Sequence, residues 1–202
     1  MEWRIFDPME ASRHFDHIVI GTGSMGSATC YYLTKRGKRV LGIEQFSLPH
    51  DQGSHGGQTR IIRKAYYEHP DYIPLLNRAY HNWQELEKET QERCYYETGI
   101  LYAGKKGNSI LKGVKSAAAK YAIPLELLRH QPSGVFKLPP DYELLFEPEA
   151  GFLLPDIAIR AFAEAAVNRG AIIHTGEKVL DIDYGSDLVT VTTDRGNYTC
   201  EK

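Results

Sequence analysis

The glycine pattern GTGSMG at residues 21–26 constrains this chain more than any other stretch, because of what flanks it. His17, Ile18, Val19 and Ile20 form an apolar run that reads as a strand and stops at Gly21. From Ser24 a segment carrying Ala28, Tyr31, Tyr32 and Lys35 continues to Gly37, a residue type that commonly ends a helix. Residues 39–44, RVLGIE, are again apolar and close on an acid. Two strands joined through a helix pair in parallel, so residues 15–44 are predicted to form one βαβ unit.

Within such a unit the three glycines have separate tasks. Gly21 permits a tight turn, Gly23 lets backbone approach a pyrophosphate, and Gly26 allows the helix to pack closely on the strand. The helix start presents unpaired N–H groups and a partial positive charge to phosphates. Glu44, ending the second strand, can accept hydrogen bonds from both hydroxyls of a ribose and would repel a 2′-phosphate. The prediction is an adenine dinucleotide, FAD or NAD in preference to NADP, and spacing alone does not separate the first two.

Length and charge narrow the remaining possibilities. A chain of 202 residues holds one or two domains, and 42% apolar residues supply a core. With 24 basic and 26 acidic residues well mixed, the net charge of −2 creates no field to recruit nucleic acid or an anionic membrane. Cys30, Cys94 and Cys200 are far apart and form neither a disulfide framework nor a zinc motif, which fits a reducing cytoplasm. Residues 1–13 carry acids and lack a signal-peptide core, so they read as an N-terminal extension; no run approaches membrane-spanning length.

The fold class expected is α/β, a Rossmann-type dinucleotide-binding domain with part of a second, antiparallel-sheet substrate domain. Helical spacing over residues 71–90 places Tyr72, Leu76, Ala79, Tyr80, Trp83 and Leu86 on one face. Tyr80, Trp83 and the small Cys30 read as packing residues. Short β-type runs follow at ILYAG (100–104) and ELLFEP (143–148), separated by a helical stretch at 116–121 and a loop with Pro132, Pro139 and Pro140. Residues 157–167 read as a helix, 171–174 as a strand, and 178–182, 188–193 and 198–200 as a small meander. The first domain is thus expected to be discontinuous, 14–93 with 154–202, and residues 94–153 to be a partial substrate domain.

Residues 49–63, PHDQGSHGGQTRIIR, combine three glycines, two histidines and two arginines. Such a loop brings backbone close to a ligand and delivers cationic side chains beside it. His50, His55 and His69 lack metal-ligand spacing, so no metal is assigned.

Here the chain resembles the monomeric sarcosine oxidase family of FAD amine oxidases, which includes N-methyltryptophan and pipecolate oxidases. The matching stretches are GTGSMG (21–26), EQFSLPH (44–50), GSHGGQTRIIRKAY (53–66), LEKET (86–90), ETGILYAG (97–104) and FEPEAGFL (146–153). The resemblance implies oxidation of a secondary amino acid, with hydride passing to FAD, hydrolysis of the imine and reoxidation by dioxygen. It implies cofactor contacts from Ser24, Met25, Gln45, Ser54, His55, Thr59 and Arg60, with the backbone of Val179 at the adenine end. Arg60 would lie near the flavin and Arg63 would bind the substrate carboxylate, roles that suit a permanently charged, forked guanidinium.

Gly56 and Gln58 stand where sarcosine oxidases often carry a second histidine and an acid, so the loop leans toward the pipecolate oxidase version and the substrate stays open. The resemblance also implies a further half supplying the cysteine that links FAD and the lysine that activates oxygen, roles that none of the three cysteines matches by position. This chain alone is then expected to be incomplete for turnover. A module that binds FAD or NAD without catalysis and an NAD-dependent dehydrogenase are the competing readings.

Overall fold

A computed structural model describes residues 13–131 and 137–201; residues 1–12 of the expected N-terminal extension and Pro132 of the expected loop lie outside the described residues. The elements are β1 (His14–Phe15), β2 (His17–Ile20), α1 (Ser24–Lys35), β3 (Val40–Glu44), β4 (Arg60–Ile62), a 3-10 turn (Pro70–Tyr72), α2 (Ile73–Thr90), β5 (Tyr95–Glu97) and β6 (Ile100–Lys105). There follow α3 (Ser109–Tyr121), β7 (Glu126–Leu128), β8 (Tyr142–Glu147), β9 (Gly151–Leu153), α4 (Pro155–Asn168), β10 (Ile172–Thr175), β11 (Val179–Tyr184), β12 (Leu188–Thr193) and β13 (Gly196–Glu201). They divide into two units, one holding the residues through Gln58, Glu89–Glu92 and those from Pro155 on, the other Thr59–Lys88 and Arg93–Leu154.

In the first unit β2, β3 and β10 form a parallel sheet in the order β10-β3-β2. All five residues of β3 are buried, as expected of a central parallel strand covered on both faces. The predicted βαβ unit is therefore present, and Tyr31 of α1 meets Phe162 of α4 with ring centroids 5.4 Å apart. The meander β11-β12-β13 forms a second sheet, and β1, two residues too short to show periodicity, joins it parallel to β13. Phe15, Val191 and Tyr198 from that sheet pack with Leu41 and Ile43 in one core.

The second unit holds two antiparallel sheets, β4-β9-β5 and β6-β8-β7. Its core gathers Ile73, Tyr102, Leu111, Val114, Ala117, Ala118 and Leu145. Helix α3 starts well before the expected residue 116, because Asn108 caps it by accepting from the Ile110 N–H at 2.7 Å. Gly113 sits mid-helix where a Cβ would come within 2.9 Å of the Tyr67 side chain, so the usual helix breaker is there for close approach.

A further expectation differs from the structure. Residues 60–62, read as loop, are strand β4 paired with β9. Among the described residues no helix is long and apolar enough to cross a membrane.

Candidate functional site

The glycine turn is built as its spacing required. Gly21 has φ +83°, a left-handed conformation that side chains disfavour, and its N–H donates to the Ile43 carbonyl at 2.8 Å. This bond ties the turn to the end of β3. A Cβ at Gly26 would lie 1.8 Å from the Gly21 carbonyl oxygen and 3.3 Å from Val19, so only glycine lets α1 lie this close to β2. Gly23 is the N-cap of α1, with no side-chain cap and no acid in the first turn. Since Ser27 is the first to donate back, to the Gly23 carbonyl at 2.9 Å, the N–H groups at the helix start keep their capacity to meet an anion. Ser24 there is half-buried and Met25 exposed.

Glu44 closes the other side of the turn and is buried. Its Oε2 accepts from the Thr22 N–H at 2.9 Å and its Oε1 from the Phe46 N–H at 3.2 Å. An ionised carboxylate offers about four acceptor positions, so these two bonds leave capacity for ribose hydroxyls. His50 Nε2 stands 3.4 Å from Oε2. His55 is also buried, bonded through Nε2 to the His50 carbonyl at 2.8 Å, and its ring fills the space a Cβ on Gly23 or Gly53 would need. Gln45, Ser54 and Thr59 are exposed, while Val179 is half-buried on the core that holds Leu41 and Ile43.

The structure thus brings Gly21, Gly23, Gly26, Glu44 and His55 together in one unit. Thr59, Arg60 and Arg63 belong to the other. Arg60, in β4, is half-buried opposite Leu153 of β9, with its guanidinium donating to the Thr59 carbonyl at 2.8 Å. The Arg63 guanidinium lies 5.0 Å from the Tyr66 ring and 4.6 Å from that of Tyr67, and donates to Glu68 Oε1 at 2.5 Å. Burial alone would loosen its proton, but Glu68 and Tyr102 outweigh it and hold the charge more firmly than usual. Behind the loop, the fully buried Glu147 accepts from the Lys64 N–H at 2.6 Å and the Tyr102 hydroxyl at 2.7 Å.

The remaining candidates are structural. Burial pushes the Cys30 thiol up to about 12, and burial with Glu87 does the same for Cys94, so neither supplies a thiolate near neutrality. Tyr80 meets Tyr95 edge-on at 5.5 Å within a cluster that includes Ile62 and Trp83. Among the described residues no group of three or more His, Cys, Asp or Glu is placed to hold a metal. Sequence reading missed the Thr22 amide and His50; the first is backbone and carries no signal, while His50 stood unused in the stretch 44–50.

The FAD dependent oxidoreductase family matches residues 16–202. Monomeric sarcosine oxidase of Bacillus sp. (strain NS-129) is 43% identical over 197 residues, which cover 95% of this chain and 51% of that protein. N-methyl-L-tryptophan oxidase of Yersinia pestis (strain Pestoides F) is 35% identical over 192 residues, 93% of this chain and 52% of that one. Among solved structures, the open form of NikD, described as an unusual amino acid oxidase essential for nikkomycin biosynthesis, has a TM-score of 0.82 at 29% identity, covering 93% of this chain and 49% of that one. Glycine oxidase from Geobacillus kaustophilus shares the fold, with a TM-score of 0.75 at 19% identity over 93% of this chain and 54% of that one. The chain spans about half the length of the curated relatives it matches.

Proposed function

The chain belongs to the FAD dependent oxidoreductase family, and from that premise we propose that it serves oxidation of the C–N bond of a secondary amino acid with dioxygen as acceptor. The observation that carries the reading is the closed turn of Gly21, Thr22 and Gly26 against Glu44, which fits an adenine dinucleotide, in a chain 43% identical to a sarcosine oxidase. The substrate class is sarcosine, an N-methyl amino acid or a pipecolate-type ring amine. Bound FAD supplies the hydride acceptor and the route to dioxygen.

The chain's own residues do the holding. The α1 N–H groups at Ser24 and Met25 meet the pyrophosphate, Glu44 accepts from the ribose, and the family resemblance assigns further cofactor contacts to Gln45, Ser54, His55, Thr59 and Val179. Arg63 forks onto the substrate carboxylate, and Arg60 offsets negative charge near the flavin. The unit around β2, β3 and β10 is the cofactor domain and the antiparallel unit is part of the substrate domain. The buried free cysteines suit a reducing cytoplasm.

One alternative has a specific support: the relatives named as oxidases extend well past the matched half, so these residues alone would act as a dinucleotide-binding module. Equilibrium dialysis of the purified chain against FAD and NAD, with a coupled peroxide assay on sarcosine, pipecolate and N-methyltryptophan, tests both readings. Dissociable FAD, a flavin absorbance band and little peroxide from the 202 residues alone are expected. Preference for NAD would overturn the flavoenzyme reading, and robust turnover would overturn the need for a further half.

A further inference from the structure

His50 carries a donor that no hydrogen bond satisfies among the described residues. Its side chain is 9% exposed, wedged between Phe46, with ring centroids 5.1 Å apart, and His55, 5.2 Å away. Its Nδ1 accepts the Gln52 N–H at 3.1 Å, so in the neutral ring the proton sits on Nε2. Among the described residues Nε2 is buried without a hydrogen-bond partner, and Oε2 of Glu44 lies 3.4 Å from it, near but in no well-formed bond. A buried unsatisfied N–H is costly, so its neighbourhood favours any state in which that oxygen moves onto it.

We propose that His50 is a positioning residue for Glu44: its Nε2–H takes up Oε2, together with the Thr22 N–H, and leaves Oε1 as the oxygen that accepts from the adenosine ribose. The proposal rests on the dinucleotide reading of the Gly21–Glu44 site. The arithmetic of lone pairs supports it. Oε2 has two acceptor positions, one used by Thr22, and His50 Nε2 lies 3.4 Å from it, whereas Oε1 uses one on the Phe46 N–H and keeps the other. A bond from His50 would hold the carboxylate against rotation. Nε2 itself is shielded, so His50 acts through Glu44 and does not touch the ligand.

The test uses the 202-residue chain and reads binding, not turnover. FAD affinity is measured by equilibrium dialysis for the wild type, His50→Leu and His50→Gln, and each is then displaced by ADP and by 2′,3′-dideoxy-ADP. His50→Leu removes the donor and should weaken FAD and ADP roughly tenfold, the scale of one hydrogen bond to a charged group. His50→Gln, whose amide reaches a similar position, should restore most of that loss. The dideoxy ligand, having no hydroxyl for Glu44, should be indifferent to both substitutions. Equal weakening of ADP and dideoxy-ADP by His50→Leu, or no rescue by His50→Gln, would show that His50 merely shapes the loop and would overturn the proposal. If the wild type bound neither FAD nor ADP, the dinucleotide reading itself would fall, an outcome distinct from a wild type that binds both and ignores His50.

Discussion

The backbone N–H of Thr22, in the middle of the glycine turn, donates to Oε2 of Glu44 at 2.9 Å. Two segments 22 residues apart are thereby fixed to one another before any ligand arrives. The bond explains why a carboxylate is tolerated at 4% exposure: it is met by the Thr22 and Phe46 amides, and its own backbone carbonyl accepts the Glu177 N–H at 2.9 Å. On the proposed reading one side chain serves both structure and ligand recognition, so a substitution there should have two separable effects.

Glu44→Ala leaves the Thr22 and Phe46 amides without their acceptor, and stability should fall by about 1 to 3 kcal/mol. FAD affinity should fall by about the same amount again, from loss of charge-assisted bonds. Glu44→Gln keeps one carbonyl oxygen and the volume, so it should spare most of the stability while still weakening FAD. Urea unfolding of the ligand-free chain and dialysis against FAD separate the two effects. Wild-type FAD affinity in Glu44→Gln would remove the carboxylate from the ribose site.

Gly26→Ala forces a Cβ to within 1.8 Å of the Gly21 carbonyl oxygen, a backbone atom that cannot rotate aside. Helix α1 must move off β2, and a loss of about 1 to 3 kcal/mol, the scale of overpacking, should accompany a much weaker grip on FAD. Gly37→Ala is the control, since nothing lies within 4 Å and only its φ of +74° is strained. About 1 kcal/mol should be lost there with FAD affinity intact. Equal FAD affinity in Gly26→Ala and wild type would mean that the pyrophosphate does not lie at this turn.

What the sequence made legible was whatever repeats on a short period or sits at a fixed spacing. The strands at 17–20 and 40–44, helices α1, α2 and α4 and the meander all carry such patterns. Strands β1, β4, β5, β7 and β9 do not, because two or three residues cannot show alternation and each exists only through its partner. Arg60 and Arg63 stand out by residue type, but the contact of Arg63 with Glu68 and the tyrosine rings is tertiary. The same holds for His50, whose significance lies in an oxygen six residues away in sequence and 3.4 Å away in space.

Alkaline pH should unfold the chain early. Burial raises the Cys30 and Cys94 thiols from 9.0 to about 12, and burial with Glu177 raises Tyr198 from 10.0 to about 12. A raised value means that the native state keeps protons the unfolded chain has released. The stability these groups contribute is therefore complete below about pH 9 and is lost as pH rises toward 12. Each buried thiol adds a slope of at most about 1.4 kcal/mol per pH unit within its window, and Tyr198, more open to solvent screening, adds less. Urea midpoints at pH 8, 9, 10 and 11 should fall progressively, and Cys30→Ala should flatten the curve by one group's share. A midpoint constant from pH 9 to 11 would show that these side chains are more solvated than the structure has them.

Arg63 already donates to one carboxylate, that of Glu68 at 2.5 Å, so its guanidinium can meet a partner of that chemistry. Its guanidinium carbon lies 4.6 Å from the Tyr67 ring centroid, within cation–π range. In a form of the protein carrying the remaining length of its relatives, the guanidinium is expected to take the substrate carboxylate and so orient the C–H bond that reacts. Losing a partner of this kind costs about 2 to 5 kcal/mol, so Arg63→Ala should lower kcat/KM by roughly 30-fold or more. Arg63→Lys keeps the charge but gives up the fork of N–H donors, and should recover only part of the loss. The discriminating substrate is an amine without a carboxylate, poor for the wild type and nearly indifferent to the substitution. Were both amines impaired by the same factor, Arg63 would be supporting the fold or the flavin, because a residue that recognises the carboxylate has nothing to lose on a substrate that lacks one.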